Sequence, residues 1–264
     1  MGKKIDRLGE ENYNTHGTLM KIVEYNNANN IIVEFQDEYR YRKRCVFKEF
    51  KKGKVKNPYD KTVCGIGFLG KDDKCNEVFH NIWRHMIQRC YDPYEINKDK
   101  NLTYKDCFVC KEWHCFYNFE KWCYEKYYSI KNEKICLDKD ILTKGNKKYS
   151  PENCVFVPER INLLFCKSDA TRGKYPVGVS EYIDKRGAIV KKKLRTYCNV
   201  YDKDNKKRKI RHLGYFPINR PFQAFTCYKN FKENYIKQVA DEYKDLIPKE
   251  LYEALYRWEV EIND

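Results

Sequence analysis

Apolar and polar side chains alternate with a period of two between Gly17 and Phe47, which predicts strands at Thr18–Tyr25, Ile31–Phe35 and Tyr39–Phe47. The Asn26–Asn30 run and Asp37-Glu38 supply the turn chemistry between them. Residues 1–15 are polar and are expected to be loose, and the basic run Lys48–Lys56 ends at Asn57-Pro58. Residues 1–58 are therefore expected to form a small β-module, its basic rim either touching phosphates or simply solvated. A connector containing Gly65, Gly67 and Gly70 follows, and then the period changes to 3.6. Phe79, Ile82, Trp83, Met86, Ile87 and Cys90 predict a helix over Val78–Cys90, ended by Asp92-Pro93. His80 and His85 on that helix read as packing or surface histidines. A second apolar stripe, Val109, Trp113, Phe116, Phe119, Trp122, Cys123 and Tyr127, predicts another core-facing helix.

The middle of the chain changes pattern again. Ile135–Leu142 reads as a strand carrying Asp138 and Asp140, and Thr143–Lys148 as a polar turn. A second β-rich run, Tyr149–Pro158, brings Asn153 back, and Glu159–Phe165 closes the unit as a helix. Carboxylate and amide oxygens suit a hard cation such as Mg²⁺ or Mn²⁺, and few protein ligands are needed when phosphate and water complete the shell. Asp138 and Asn153 are the candidate ligands. The bland alternative is that Asp138 only caps a turn.

Beyond Gly173–Pro176 come Val177–Tyr182, a turn at Asp184–Gly187, Ile189–Leu194 with Thr196–Tyr201, and Lys209–Phe216. A helix follows from Pro221, with Ala224, Tyr228, Phe231, Tyr235 and Val239 at buried spacing. The pattern predicts a three-stranded sheet backed by one helix. A short helix, Lys249–Trp258, is expected to pack back as a cap.

Charge sharpens this picture. The 264 residues carry a formal net charge of +15. Between Lys185 and Arg211 there are 12 Lys or Arg against two Asp, which suits a polyanion laid against the sheet. A merely soluble basic protein is the dull alternative. No apolar run has membrane-spanning length and no signal-peptide core opens the chain, so a membrane is not expected as a partner. The 13 cysteines are odd in number and scattered, the usage of reduced thiols inside a cell. The Cys107-x-x-Cys110 pair with His114 or Cys115 invites a zinc reading that Cys136 or Cys154 could complete, but buried free thiols are the expectation.

Two resemblances draw these stretches together. Leu137-Asp-Lys-Asp-Ile141, Gly145–Cys154 and Asn162 resemble the HNH homing-endonuclease type, the ββα-metal fold of many phage and mobile-element proteins. The resemblance implies Asp138 and Asn153 as ligands of one Mg²⁺ or Mn²⁺ ion, Asn146 bracing the loop, and Asn162 near the closing His/Asn position. The chain departs from the pattern at Lys139, where the family places the His that deprotonates water. Three accounts stay open: Asp140 or another residue is the base, Lys139 binds phosphate, or the unit binds DNA without cutting it. Residues 175–240 resemble the Apetala/ethylene-response-type DNA-binding domain through Gly178-Val, a Gly-turn, a basic strand and Leu213-Gly-x-Phe216. The family's aromatic after the turn is missing at Ala188-Ile189.

The expectation is thus an α+β chain: a β-module (1–58), an HNH-like nuclease domain with flanking helices (59–172), a sheet-plus-helix DNA-binding domain (173–240) and a helical cap (241–264). Candidate DNA contacts are Arg186, Lys191, Lys193, Arg195, Arg208 and Arg211. The partner would be double-stranded DNA, the protein a monomer or weak dimer, and the setting a bacterial or phage-infected cytoplasm. An inactive DNA-binding protein is the first alternative. An RNA-binding factor is the second, disfavoured because the C-terminal sheet shows no obvious exposed aromatic pair.

Overall fold

The computed structural model describes residues 6–96, 104, 106–166, 173–184, 191–202, 207–262 and 264. In chain order the first elements are β1 (Glu11–Tyr13), β2 (Leu19–Asn27), β3 (Asn30–Phe35), β4 (Arg42–Cys45), α1 (Phe47–Lys51), α2 (Glu77–Tyr91), α3 (Pro93–Ile96) and β5 (Phe108–Val109). A 3₁₀ turn at Lys111–His114 leads into α4 (Phe116–Lys126), β6 (Ile135–Asp138), β7 (Lys148–Tyr149), β8 (Val155–Pro158) and α5 (Glu159–Asn162). The chain continues with β9 (Val179–Asp184), β10 (Lys191–Asp202), β11 (Lys207–Pro217), α6 (Pro221–Glu242) and α7 (Lys249–Arg257). Helices alternate with several small sheets, so the class is α+β. Among the described residues no helix is long and apolar enough to cross a membrane.

The chain divides into two compact units. One comprises residues 1–127 with 147–152, and the other residues 128–146 with 153–264. In the first, β1 to β4 form an antiparallel sheet in sequence order over Met20, Ile22, Ile31, Val33, Phe35 and Phe50. Two elements differ from the sequence pattern. Residues 11–13, expected to be loose, pair with β2 as β1. The strand expected over residues 39–47 shrinks to β4, because Asp37 Oδ1 accepts the Tyr39 and Arg40 amides and turns the chain there. The basic run after it begins as α1, which buries Phe50.

In the same unit the Asn76 side chain caps α2 by accepting the Val78 and Phe79 amides. The Trp83 indole N–H donates to the Trp113 backbone carbonyl at 2.7 Å, so the buried Trp83 ring leaves its polar group matched. The stripe expected as one helix over residues 109–127 is a short strand, a 3₁₀ turn and then α4. His80 packs against Trp83 and Phe116.

The second unit holds the β6–β8 antiparallel hairpin, α5, the three-stranded sheet in the order β11-β10-β9, and α6 and α7. Leu194, Thr196 and Cys198 alternate along β10 into the interface with α6, where Ala224 and Tyr228 meet them. Thr196 Oγ1 donates to Ala224 O at 3.3 Å. The segments expected at residues 189–194 and 196–201 are one strand. The irregularity between Thr196 and Tyr197 is taken up by skipping Leu213 on β11.

The grouping of the C-terminal half differs from the sequence expectation. Ile141, Val155, Val157 and Ile161 of the hairpin region share one core with Tyr235, Ile236, Val239 and Ala240 of α6 and with Leu251, Ala254 and Leu255 of α7. No boundary at residue 173 or 241 separates nuclease-like, sheet and cap domains. The physical reason is the 22-residue length of α6, whose first turns cover the sheet and whose last turns cover the hairpin.

Candidate functional site

Asp138 is the last residue of β6, opposite Val155 of β8. Its Oδ1 accepts the amides of Asp140 at 2.9 Å and Ile141 at 2.8 Å, which turns the chain and sends Ile141 into the core. The turn-capping role considered for this residue is therefore real, and it occupies one carboxylate oxygen. Burial and the neighbouring Asp140 carboxylate push Asp138 up to about 6. A carboxyl whose charge is disfavoured by burial and by a neighbouring carboxylate suits a divalent cation that would relieve the repulsion.

Lys139, in the position where a base is expected by resemblance, points elsewhere. The residue is buried, and its ammonium donates to Asp140 Oδ2 at 2.9 Å and to Asn146 O at 3.1 Å. Asn146 returns the contact by donating from Nδ2 to Lys139 O at 2.6 Å. Lys139 thus acts as a tie across the loop rather than as a free ammonium presented to a phosphate. Asp140 keeps the more open carboxylate of the pair, its side chain 44% exposed.

Asn153 lies in the turn at residues 151–153, two positions before Val155, the residue facing Asp138. The hairpin register therefore carries Asn153 and Asp138 to the same end of the two strands. Asn162 ends α5, after which the chain tightens into i to i+3 turns (Leu164 N to Ile161 O, Phe165 N to Asn162 O), so the helix expected to reach Phe165 stops early. Asn162 O also accepts from the Cys166 thiol.

The six candidate DNA contacts separate. Arg186 lies outside the described residues. Lys191, Lys193 and Arg195 alternate with the buried Leu194 and Thr196 and share the open face of β10. Arg211 faces the other way: it opposes the buried Cys198, and its guanidinium sits 5.2 Å over the Phe231 ring of α6. Arg208 lines a cavity described below.

The open face also carries aromatics that the sequence reading did not find. Tyr182, opposite Lys193, meets Tyr215, opposite Arg195, with ring centroids 5.0 Å apart. The Arg195 guanidinium lies 5.0 Å over Tyr197. The argument against RNA from a missing aromatic pair therefore fails. The signal was present as tyrosines in phase with Lys193 and Arg195, but it required the β9 and β11 registers to be known.

The four cysteines considered for zinc are free thiols, Cys107 and Cys110 in the first unit, Cys136 and Cys154 in the second. Among the described residues no three His, Cys, Asp or Glu side chains are grouped to hold a metal ion. A cation beside Asp138 would thus depend on Asn153, water and phosphate oxygens for the rest of its shell.

Comparison with family models, curated proteins and solved structures finds no match.

Proposed function

We propose that this chain is a DNA-binding, HNH-like endonuclease that nicks or cleaves duplex DNA with one Mg²⁺ or Mn²⁺ ion. The observation that carries the reading is the β6–β8 hairpin closed by α5. Asp138 ends one strand and Asn153 enters the other at the same end, with the Asp140 carboxylate two residues beyond Asp138. The ion, when bound, would stabilise charge on the leaving 3′ oxygen. Asp138 and Asn153 hold it, and Asp140, with the more open carboxylate, takes the proton of the attacking water. Lys139 and Asn146 keep the intervening loop in place. Lys193 and Arg195 on the open sheet face meet backbone phosphates, and Tyr182, Tyr197 and Tyr215 pack against sugars or bases.

A second reading, a DNA-binding protein without cleavage, draws support from the Lys139–Asp140 ion pair, which partly neutralises the carboxylate a base would need. Supercoiled plasmid incubated with Mg²⁺ or Mn²⁺ distinguishes the two. Cleavage is expected from the parent and lost in Asp138→Ala; a parent that retards duplex DNA in a gel yet leaves the plasmid supercoiled with either metal supports the second. Competition between duplex DNA and structured RNA for the parent tests the nature of the partner, with duplex expected to win.

A further inference from the structure

A cavity of about 710 Å³ is walled by α5, β9, β10, α6 and the segment after α7. Its acidic side chains are already engaged. Glu133 accepts from the Tyr243 hydroxyl, Glu159 pairs with Lys134, and Asp264 pairs with Lys144. Arg160 pairs with Glu242 at 2.6 Å. Two cations differ. Lys232 of α6 and Arg208 of β11 both line the cavity, and among the described residues neither has a carboxylate or hydrogen-bond partner. Arg208 is exposed and keeps its hydration, but Lys232, on the inner side of a packed helix with a second cation facing it and no counter-ion, is costly unless an anion joins the two. Burial indeed lowers the Lys232 pKa, and Arg208 lowers it further.

The cavity wall is tied to the loop that carries the acidic pair: Asp264 and Trp258 line it, and Lys144 of that loop donates to Asp264 Oδ2 at 2.8 Å and lies 5.2 Å from the Trp258 ring. Cys166, just beyond α5, lines the cavity as well. Desolvation raises the thiol pKa, and Arg208 and Lys232 act on it from one set of charges while Asp138 and Asp140 act from another. The cationic pair and the acidic pair are thus both within electrostatic reach of one sulfur.

We propose that Arg208 and Lys232 form a phosphate seat beside the Asp138–Asp140 site, taking a phosphate of the DNA strand engaged there. The assignment of the strand rests on the endonuclease reading; the seat for a phosphate group does not. The volume accommodates a phosphate with its adjoining sugar and base. The seat would neutralise a backbone phosphate next to the one under attack and hold the strand in register with Asp138, using residues from the sheet module and from the helix that it shares with the hairpin.

The test compares the full-length parent with Lys232→Met and Arg208→Met. Thermal unfolding is followed with added inorganic phosphate or thymidine 5′-monophosphate, against chloride at equal ionic strength, and duplex affinity is measured across a salt series. The seat requires a phosphate-dependent rise in Tm in the parent that both variants lose. It further requires duplex affinity to fall roughly tenfold in each, with the salt slope reduced by about one per cation removed. Lys232→Met keeps the side-chain bulk, so its own Tm is expected to hold or rise; should it fail to fold, Arg208→Met, at an exposed position, carries the test. Variants that match the parent in phosphate response, duplex affinity and salt slope overturn the seat and leave the endonuclease reading standing. A parent that responds to phosphate through Lys232 and Arg208 yet binds no duplex upholds the seat, assigns it to free nucleotides, and removes the DNA reading.

Discussion

Lys139 and Asn146 hold each other by opposite groups: the Lys139 ammonium donates to the Asn146 carbonyl at 3.1 Å, and the Asn146 amide donates to the Lys139 carbonyl at 2.6 Å. The pair closes the loop after β6 into a ring that also includes Asp140. Lys139→Met strands the Asn146 carbonyl and leaves Asp140 without its cation, so a loss of about 1–3 kcal/mol is expected. Asn146→Ala should cost about 1 kcal/mol, and the double variant less than the sum because one clasp is broken twice. Urea denaturation of the three variants measures this, and strict additivity would show that the contacts are independent.

Asp138 gives a pH dependence of definite sign. Its folded pKa, pushed up to about 6, stands above the ordinary carboxylate value of 3.8. Between those values the native chain binds more protons than the unfolded one, so in metal-free buffer stability falls as pH rises from about 4 to 6 and levels off above. Asp138→Asn keeps the oxygen that accepts from residues 140 and 141 while removing the charge. It should flatten that slope and raise stability at pH 7 by roughly 2–3 kcal/mol. Unfolding free energies at pH 4, 5, 6 and 7 check it; an unchanged slope in Asp138→Asn would assign the titration to another group.

Arg195 and Arg211 lie on opposite faces of the C-terminal sheet, and their substitution should separate binding from packing. Arg195→Ala is expected to weaken duplex binding and shallow its salt dependence by about one unit. Arg211→Ala, which only uncovers the Phe231 ring, should leave that dependence unchanged. Fluorescence anisotropy over a series of salt concentrations reads both.

Gly178 precedes β9 with φ of +74°, and a Cβ there would run into the Tyr228 ring of α6. Gly178→Ala meets both a left-handed backbone and a ring that cannot withdraw, since Tyr228 is buried in the sheet–helix core. A drop of at least about 2 kcal/mol is expected, with thermal unfolding as the measurement. Little change in Tm would mean that Tyr228 has another rotamer available.

What the sequence disclosed follows from the range over which each signal acts. The α2 stripe from Phe79 to Cys90 and the α6 stripe from Ala224 to Val239 are periodic over several turns, and both helices form close to where the pattern places them. Asp138 at a strand end and Asn153 at the return are adjacent-strand features, and the β6–β8 register bears on both. Three things depended on particular side-chain contacts that periodicity does not encode. The shortening of the strand after Asp37 required a side chain to claim two amides. The burial of Lys139 required Asn146 to offer a carbonyl. The placing of Arg208 with Lys232 required α6 to lie on the sheet, and no spacing in the chain announces that.

The shared helix α6 has a consequence for how such a chain can be cut and rejoined. A recombination event near residue 173 would deliver a sheet without the second half of its own core, and a hairpin whose Val155, Val157 and Ile161 had lost their cover. Neither fragment would be expected to fold alone, since each would expose the apolar surface the other covers. The outer surface of the sheet is free to vary by replacement of side chains, whereas exchanging the sheet itself would uncover the hairpin and dismantle the acidic loop along with it.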